Sequence, residues 1–251
     1  MLNKFLIRST QRYATKTLVQ NPIRLASGGS GNLRAAVLLA GSGVYDGTEI
    51  TEATSLLIAL SRANATVTCF APNRNQAHVV NHLTGEESDE TRNVLEESAR
   101  IARGAVSDLE TLDHTNFDAL FIPGGFGAAK NLSDFGFKGT NMVIHPDVGN
   151  AILDFHHNSK YVAMCCISPI LAARVFGTMA NPHGRKGATI TLGKRGDDWP
   201  YGESIDAAIY MGNELVEVDI NEVVVDEERR LVTAPAYMKG TAKPHQVYDN
   251  I

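Results

Sequence analysis

Short apolar runs alternate along this chain with longer stretches of helical periodicity. The run at 35–40 (Ala-Ala-Val-Leu-Leu-Ala) breaks into Gly41-Ser42-Gly43-Val44-Tyr45-Asp46-Gly47. From about 49 to 63, apolar residues then recur at Ile50, Ala53, Leu56, Leu57 and Leu60, the spacing of one helix face. Residues 67–71 predict a second strand, stopped by Pro72, and a long polar stretch follows. Ser88 or Asp89 is the expected N-cap of a helix running to about Arg103. A third strand is expected at 118–122, ending in Pro123-Gly124-Gly125-Phe126-Gly127, and 146–157 reads as a helix begun by Pro146. Residues 161–166 form the most apolar strand candidate, and a helix opens beyond it near Pro169. Further on, 188–192 and 215–218 are strand-like, 204–211 helical, and 223–225 with 231–233 flank a charged turn as a hairpin does. Alternating short apolar strands and helices predict an α/β fold, a mainly parallel sheet with helices on both faces. No internal repeat is evident.

The length and balance of the chain, 251 residues at 43% hydrophobic and 20% charged, suit one domain with one sizeable core. No apolar run approaches the ~18 residues of a membrane-spanning helix. The first 34 residues stand apart. They hold Lys4, Arg8, Arg12, Lys16, Arg24 and Arg34 but no acid, the first acidic residue of the chain being Asp46, and they are rich in hydroxyls, with Leu2, Phe5, Leu6 and Tyr13 able to form an apolar stripe. That composition predicts a mitochondrial presequence, joined to the fold by the flexible Ser27-Gly28-Gly29-Ser30-Gly31. Setting aside six of the 23 basic residues leaves 17 against 28 acidic ones, a formal charge of −11 for residues 35–251. Such a domain is disfavoured as a binder of nucleic acid or anionic membranes.

Three cysteines, two of them adjacent, show neither disulfide-framework nor metal-ligand spacing, which points to a reducing compartment. His78 and His82 stand four apart, a zinc spacing without a third ligand, so a surface or capping role is expected of them. The glycine loop runs Gly41-x-Gly43-x-x-x-Gly47, one residue longer than a dinucleotide fingerprint, and no acid ends the second strand. A nucleotide cofactor is therefore not expected. Cys166 sits where a buried strand turns sharply into a helix. That elbow would present its sulfur above the sheet, and the helix N-terminus would favour the thiolate. The plain alternative is a packed, inert cysteine. What favours the elbow is convergence: at the carboxyl ends of the strands the loop after the first strand, Gly124-Gly125 and Cys166 all meet. There the Gly125 and Ile167 N–H groups would form an oxyanion hole, and Glu49 or Glu52 would serve as acid or base, the other being a solvated first-turn residue. Cys165, one position back on a strand, is expected to face away and pack. Trp199, among Asp197, Asp198 and Pro200, reads as a surface loop.

Several long segments together carry a family resemblance. They are 41–50 (Gly-Ser-Gly-Val-Tyr-Asp-Gly-x-Glu-Ile), 81–86 (Asn-His-Leu-Thr-Gly-Glu), 90–95 (Glu-Thr-Arg-Asn-Val-Leu), 123–132 (Pro-Gly-Gly-Phe-Gly-Ala-Ala-Lys-Asn-Leu) and 233–238 (Thr-Ala-Pro-Ala-Tyr-Met). In these the chain resembles the bacterial enhancing-lycopene-biosynthesis proteins and the mitochondrial class I glutamine amidotransferase-like domain-containing proteins, over 35–251. The resemblance implies a flavodoxin-like three-layer sandwich of the PfpI superfamily with Cys166 as the elbow nucleophile. It ranks Glu52 before Glu49, because Glu52 lies eleven residues before Ala63-Asn64 where the superfamily has an Ala-Gly pair. Gly124 and Gly125, with Ile167, are the implied substrate-binding positions. No metal or organic cofactor is implied.

One departure bears on mechanism. Where many relatives carry a histidine downstream of the nucleophile, this chain reads Thr189-Ile190-Thr191-Leu192-Gly193-Lys194, and His183 is the nearest substitute in sequence. A glutaminase or peptidase would lack its usual base. The expected function is a mitochondrial, cysteine-dependent enzyme acting on small reactive carbonyl compounds, glyoxalase- or deglycase-like. The alternative is a non-catalytic, redox-responsive or metabolite-binding mitochondrial factor, and glutaminase activity comes third. A homodimer is an open arrangement, with the excursion around Trp199 as one place for a partner or lid. The chain stops at Ile251, before the point where such relatives finish their last helix.

Overall fold

The computed structural model describes residues 32–178 and 186–251. Most of the expected leader therefore lies outside the described residues, although its last member, Arg34, opens the first strand. In chain order the elements are β1 (Arg34–Leu38), α1 (Ile50–Arg62), β2 (Thr66–Ala71), β3 (Val79–Val80), β4 (Glu87–Ser88), α2 (Val94–Ile101), β5 (Val106–Asp108), β6 (Ala119–Ile122), α3 (Phe126–Lys130) and α4 (Phe135–Lys138). There follow α5 (Pro146–His157), β7 (Tyr161–Cys165), α6 (Pro169–Phe176), β8 (Thr189–Ile190), α7 (Gly202–Tyr210), β9 (Glu214–Leu215), β10 (Val224–Asp226), β11 (Leu231–Ala234) and α8 (Pro244–Asn250).

Seven strands form the central sheet in the order β10-β11-β7-β6-β1-β2-β5, all parallel except the edge strand β10, which pairs antiparallel with β11. From β2 to β11 this is the flavodoxin-like order, with the chain reversing its direction of travel between β1 and β6. Strand β1 shows why the sheet is buried on both faces. Ala36, Leu38 and Ala40 enter the core beneath α5, α6 and α7, whereas Ala35, Val37 and Leu39 enter the core shared with α1 and α2. One continuous apolar run thus feeds two layers by simple alternation. Helix α8 closes the second layer against α1, with Arg62 bonded to the Tyr248 hydroxyl and Ile251 packed on the apolar cluster.

The structure departs from the periodicity in a few places, each for a local reason. Helix α2 begins four to five residues later than expected, because Asn93 is the residue whose side chain caps it, accepting from the Leu95 and Glu96 N–H groups. Glu87 and Ser88 instead pair antiparallel with Val79 and Val80. Residues 188–192 and 215–218 shrink to a two-residue parallel pair, Thr189–Ile190 with Glu214–Leu215, outside the main sheet. Trp199 is not on the surface: it is 5% exposed, and its ring packs against Gly193, where a Cβ would come within 2.4 Å of it. Lys194 and Lys239 lie over that ring at 5.6 and 5.7 Å while both pair with Asp219, which is held well below the usual carboxylate range chiefly by its bond to Lys194. No helix among the described residues is long and apolar enough to cross a membrane.

Candidate active site

The site lies at the carboxyl edge of the sheet, beside the reversal between β1 and β6. Two glycine-rich turns build its floor. The loop after β1 leans on the turn after β6 through Phe126 N–H to Val44 O at 2.8 Å, Gly127 N–H to Gly47 O at 2.8 Å, and Glu49 N–H to Gly124 O at 3.0 Å. Asn131 locks the pair, donating to Ala40 O at 2.9 Å and Asp46 O at 2.7 Å while accepting from Ala77 N–H at 2.9 Å. Within the first loop the Gly43 N–H bonds to Thr48 O and the Gly41 N–H to the Ser98 hydroxyl, so these two amides serve packing. His78 and His82 serve the same scaffold. His82 Nε2 faces the Tyr45 N–H at 3.2 Å and Nδ1 faces Val80 O, while His78 contacts Glu87 and Lys130. No group of three or more His, Cys, Asp or Glu among the described residues is placed to hold a metal ion.

Two of those glycines are required by close approach. Gly124 lies against the site itself: a Cβ there would stand 2.4 Å from the Cys166 Cβ and 2.7 Å from Glu52 Oε2. Gly125 adopts φ +91°, and a Cβ would meet the Glu49 nitrogen at 2.3 Å.

Cys166 follows β7 with φ +57°, in the left-handed region, so the strand does bend into a strained elbow before α6. The bend is held from several sides. Cys166 N–H donates to Ala234 O on β11 at 3.0 Å, and the fully buried Ser168 hydroxyl contacts Ile122 O at 2.7 Å and Cys165 O at 2.8 Å while accepting from Cys165 N–H at 3.1 Å. Ser168 thus cross-links β6 to the elbow. Although it stands at the start of α6, its side chain makes no cap bond to that helix.

Glu52 projects from the first turn of α1 into this edge and is fully buried. Its Oε2 accepts from Gly124 N–H at 2.8 Å, and its Oε1 accepts from Tyr237 N–H at 3.3 Å. Burial raises the carboxyl to about 7, with the Glu49 charge adding to the rise and hydrogen bonds from Tyr237, Cys166 and Gly124 opposing it. Glu49 takes the other role foreseen for the pair. It is the N-cap of α1, its Oε2 accepting from Glu52 N–H at 2.7 Å. Gly124 likewise spends its N–H on Glu52, which makes it a holder of the carboxylate. The Gly125 and Ile167 N–H groups bond to the Cys166 sulfur and favour its thiolate, but they do not win in the free protein. Burial and the Glu52 charge push the thiol well above its ordinary range. The thiolate expected from the helix N-terminus alone is therefore not the resting form.

Cys165 does not face away. Its Sγ lies 3.5 Å from Glu52 Oε2, because the left-handed turn at the next residue ends the strand alternation that would have separated the two sulfurs. Both thiols meet one carboxylate. Cys166 is 7% exposed, and aromatic rings gather on the approach to it. Tyr201 makes an edge contact with Phe126 at 6.0 Å, and its phenol is raised by burial first and by the nearby Cys166 and Tyr45 charges after that. Sequence reasoning missed Tyr201 and Tyr237, which are distant in sequence from Cys166, and Ser168, which stands two residues after it but shows its partners only in the fold. His183 lies outside the described residues. Among the described residues, no histidine hydrogen-bonds Glu52 or either sulfur of the pair.

The arrangement gathers a cysteine sulfur, two amide donors and a carboxyl raised to about 7 at one edge of the sheet. No protein-family model matches the chain. The mitochondrial glutamine amidotransferase-like class 1 domain-containing protein 3 of Homo sapiens is 43% identical over 222 residues, 87% of this chain and 79% of that protein. The mitochondrial ES1 protein of Danio rerio is 32% identical over 257 residues, covering 96% and 92%. Among solved structures, an isoprenoid biosynthesis protein with an amidotransferase-like domain from Ehrlichia chaffeensis superposes with a TM-score of 0.76 at 37% identity, covering 87% of this chain and 94% of that one. The 24 kDa rapid encystment protein of Francisella tularensis, at TM-score 0.55 and 11% identity, shares the fold.

Proposed function

The chain belongs to the mitochondrial glutamine amidotransferase-like class 1 (ES1) family, and from that premise we propose that it is a cysteine-dependent enzyme of small reactive carbonyl compounds. The protein is mitochondrial, as its relatives are. We assign residues 1–34 to a presequence and linker ahead of the domain, which N-terminal sequencing of the protein recovered from the organelle would check.

What carries the enzymatic reading is the buried Glu52 carboxyl, titrating at about 7 and bonded to the elbow cysteine whose sulfur also receives two backbone N–H groups. A carboxyl poised there exchanges a proton at working pH in either direction. Protonation of Glu52 removes the negative charge that opposes the thiolate, so the carboxyl and the thiol titrate as a unit. In the proposed cycle the Cys166 thiolate adds to the aldehyde carbon of a 2-oxoaldehyde, forming a C–S bond and an oxyanion. The Gly125 and Ile167 N–H groups hold that oxyanion until it takes the Glu52 proton. The carboxylate then removes the hydrogen from the hemithioacetal carbon and returns it to the adjacent carbon, giving a thioester. Water cleaves the thioester to the hydroxy acid and restores the thiol, so the net change is addition of one water molecule.

Two further observations support this substrate class. The sulfur is nearly enclosed, which suits a two- or three-carbon compound, and addition to a carbonyl needs no acid for a leaving amine. Purified protein given glyoxal or methylglyoxal should form the hydroxy acid, and Cys166→Ala should form none above the uncatalysed rate. Equal turnover by the two proteins would end the proposal.

A second reading draws on the same enclosed pair of sulfurs. A non-catalytic redox-responsive factor would gain oxygen on Cys166, the Gly125 and Ile167 amides holding the product. Intact-mass measurement after mild hydrogen peroxide tests it, and an unmodified Cys166 in folded protein would remove it.

A further inference from the structure

We propose that Cys165 is a positioning residue of this site: its thiol, set against Glu52 Oε2, decides where the carboxyl keeps its charge and so how readily Cys166 gives up its proton. The inference rests on Cys166 being the reacting sulfur, but not on which substrate it attacks.

The geometry leaves Glu52 little freedom. Its Oε2 has two lone pairs, and two donors are aimed at that oxygen: Gly124 N–H at 2.8 Å and the Cys165 thiol at 3.5 Å. Its Oε1 meets Tyr237 N–H. These donors oppose the rise that burial imposes on the carboxyl, which still reaches about 7, and where it is ionised the Cys166 thiol, bonded to the same group, faces a negative charge and keeps its proton. Removal of the Cys165 donor withdraws one of the few bonds that favour the ionised form of a fully buried carboxyl, a loss that a proton relieves. The protonated carboxyl would no longer repel the Cys166 thiolate and could donate to it. Cys165 therefore acts as a brake on the nucleophile.

Cys165 is 8% exposed, and its own thiol is pushed up by burial first and by the Glu52 charge after it, so it stays a proton donor. It is fixed in this pose by the Ser168 hydroxyl on its N–H and by the pairing of β7 with β11. The other titratable groups facing the cluster are Glu49 from the start of α1, Tyr201 from the turn before α7 and Tyr237 from the turn after β11.

The test uses the full chain and needs no substrate. The rate of Cys166 alkylation by iodoacetamide is followed from pH 5 to 10, with the modified sulfur located by fragment mass spectrometry. Cys165→Ala should react about fivefold faster than wild type at pH 7, with its midpoint moved to lower pH, the size expected from one lost hydrogen bond of a weak thiol donor. Cys165→Ser, whose hydroxyl is a stronger donor to the same oxygen, should react no faster than wild type, and this arm stands alone where Cys165→Ala does not fold. In a Glu52→Gln background the Cys165→Ala change should have no further effect. Faster reaction of Cys165→Ser, an unchanged rate in Cys165→Ala, or an effect that persists without the carboxylate would each overturn the proposal. Absence of turnover with an intact alkylation shift would instead remove the enzymatic reading and leave this one standing.

Discussion

Glu52→Gln should change the pH dependence of stability more than stability itself. The carboxyl is fully buried and titrates at about 7, against an ordinary value of 4.5 in the unfolded chain. The folded state therefore binds this proton more tightly, so its contribution is fully present below pH 4.5 and is lost as pH rises through 7. Integrating the two titrations from pH 5 to 8 gives a loss of about 2.5 kcal/mol from this one group. Glutamine keeps the shape and an accepting oxygen but cannot ionise, so the variant lacks that slope. It also places an NH2 against one of the amide donors, Gly124 N–H or Tyr237 N–H, at a cost of ~1–3 kcal/mol that does not vary with pH. Urea unfolding of both proteins at pH 5 and pH 8 isolates the difference, since every other titrating group cancels between them. Wild type should lose about 2.5 kcal/mol more than the variant over that interval. Parallel losses in the two proteins would mean that Glu52 titrates in the ordinary carboxylate range, and the account of a carboxyl poised at neutrality would fail with it.

Two other substitutions test the scaffold. Cys166 carries φ +57°, which costs a residue with a Cβ about 1–2 kcal/mol; Cys166→Gly should therefore unfold at higher urea than Cys166→Ala, by about 1 kcal/mol, and an alanine variant that is equal or better would show that the elbow is unstrained. Trp199→Ala should cost about 3–5 kcal/mol with an unchanged denaturant slope, as loss of a buried aromatic does, whereas a loss under ~1 kcal/mol would return the ring to the surface.

The layers of the fold were legible because their signals are local. Strands β1, β2, β6 and β7 are short apolar runs, and α1 and α5 carry helical spacing over three turns, so each could be recognised without knowing its neighbours. The elements that escaped are those whose reason lies elsewhere in the chain. Strand β5 has three residues and sits at the edge, where pairing with β2, not hydrophobicity, defines it. The β3–β4 hairpin exists because Asp46, in the loop after β1, accepts the Val80 N–H at 2.8 Å. Trp199 reads as exposed between two aspartates and a proline, and only the fold brings Gly193, Lys194 and Lys239 around it.

In the site, the same division separates what sequence could say from what it could not. A cysteine after an apolar strand and a glycine pair after another are local patterns, and the sheet topology is enough to bring them to one edge. Choosing between Glu49 and Glu52 required more, since both occupy the beginning of α1. The decision is made by helix geometry: the N-cap side chain folds back on the N–H three residues later, while the residue at that later position is free to point into the layer. Cys165 inverts the lesson. Strand alternation holds for Cys165, which turns away from the Met164 face toward α1 and Glu52; what it misplaces is the next sulfur, because Cys166 is left-handed and leaves the strand. The strain that makes Cys166 an elbow is thus also what gathers two thiols on one buried carboxylate, so a change that relaxed the turn should separate the sulfurs and free Glu52 from one of them.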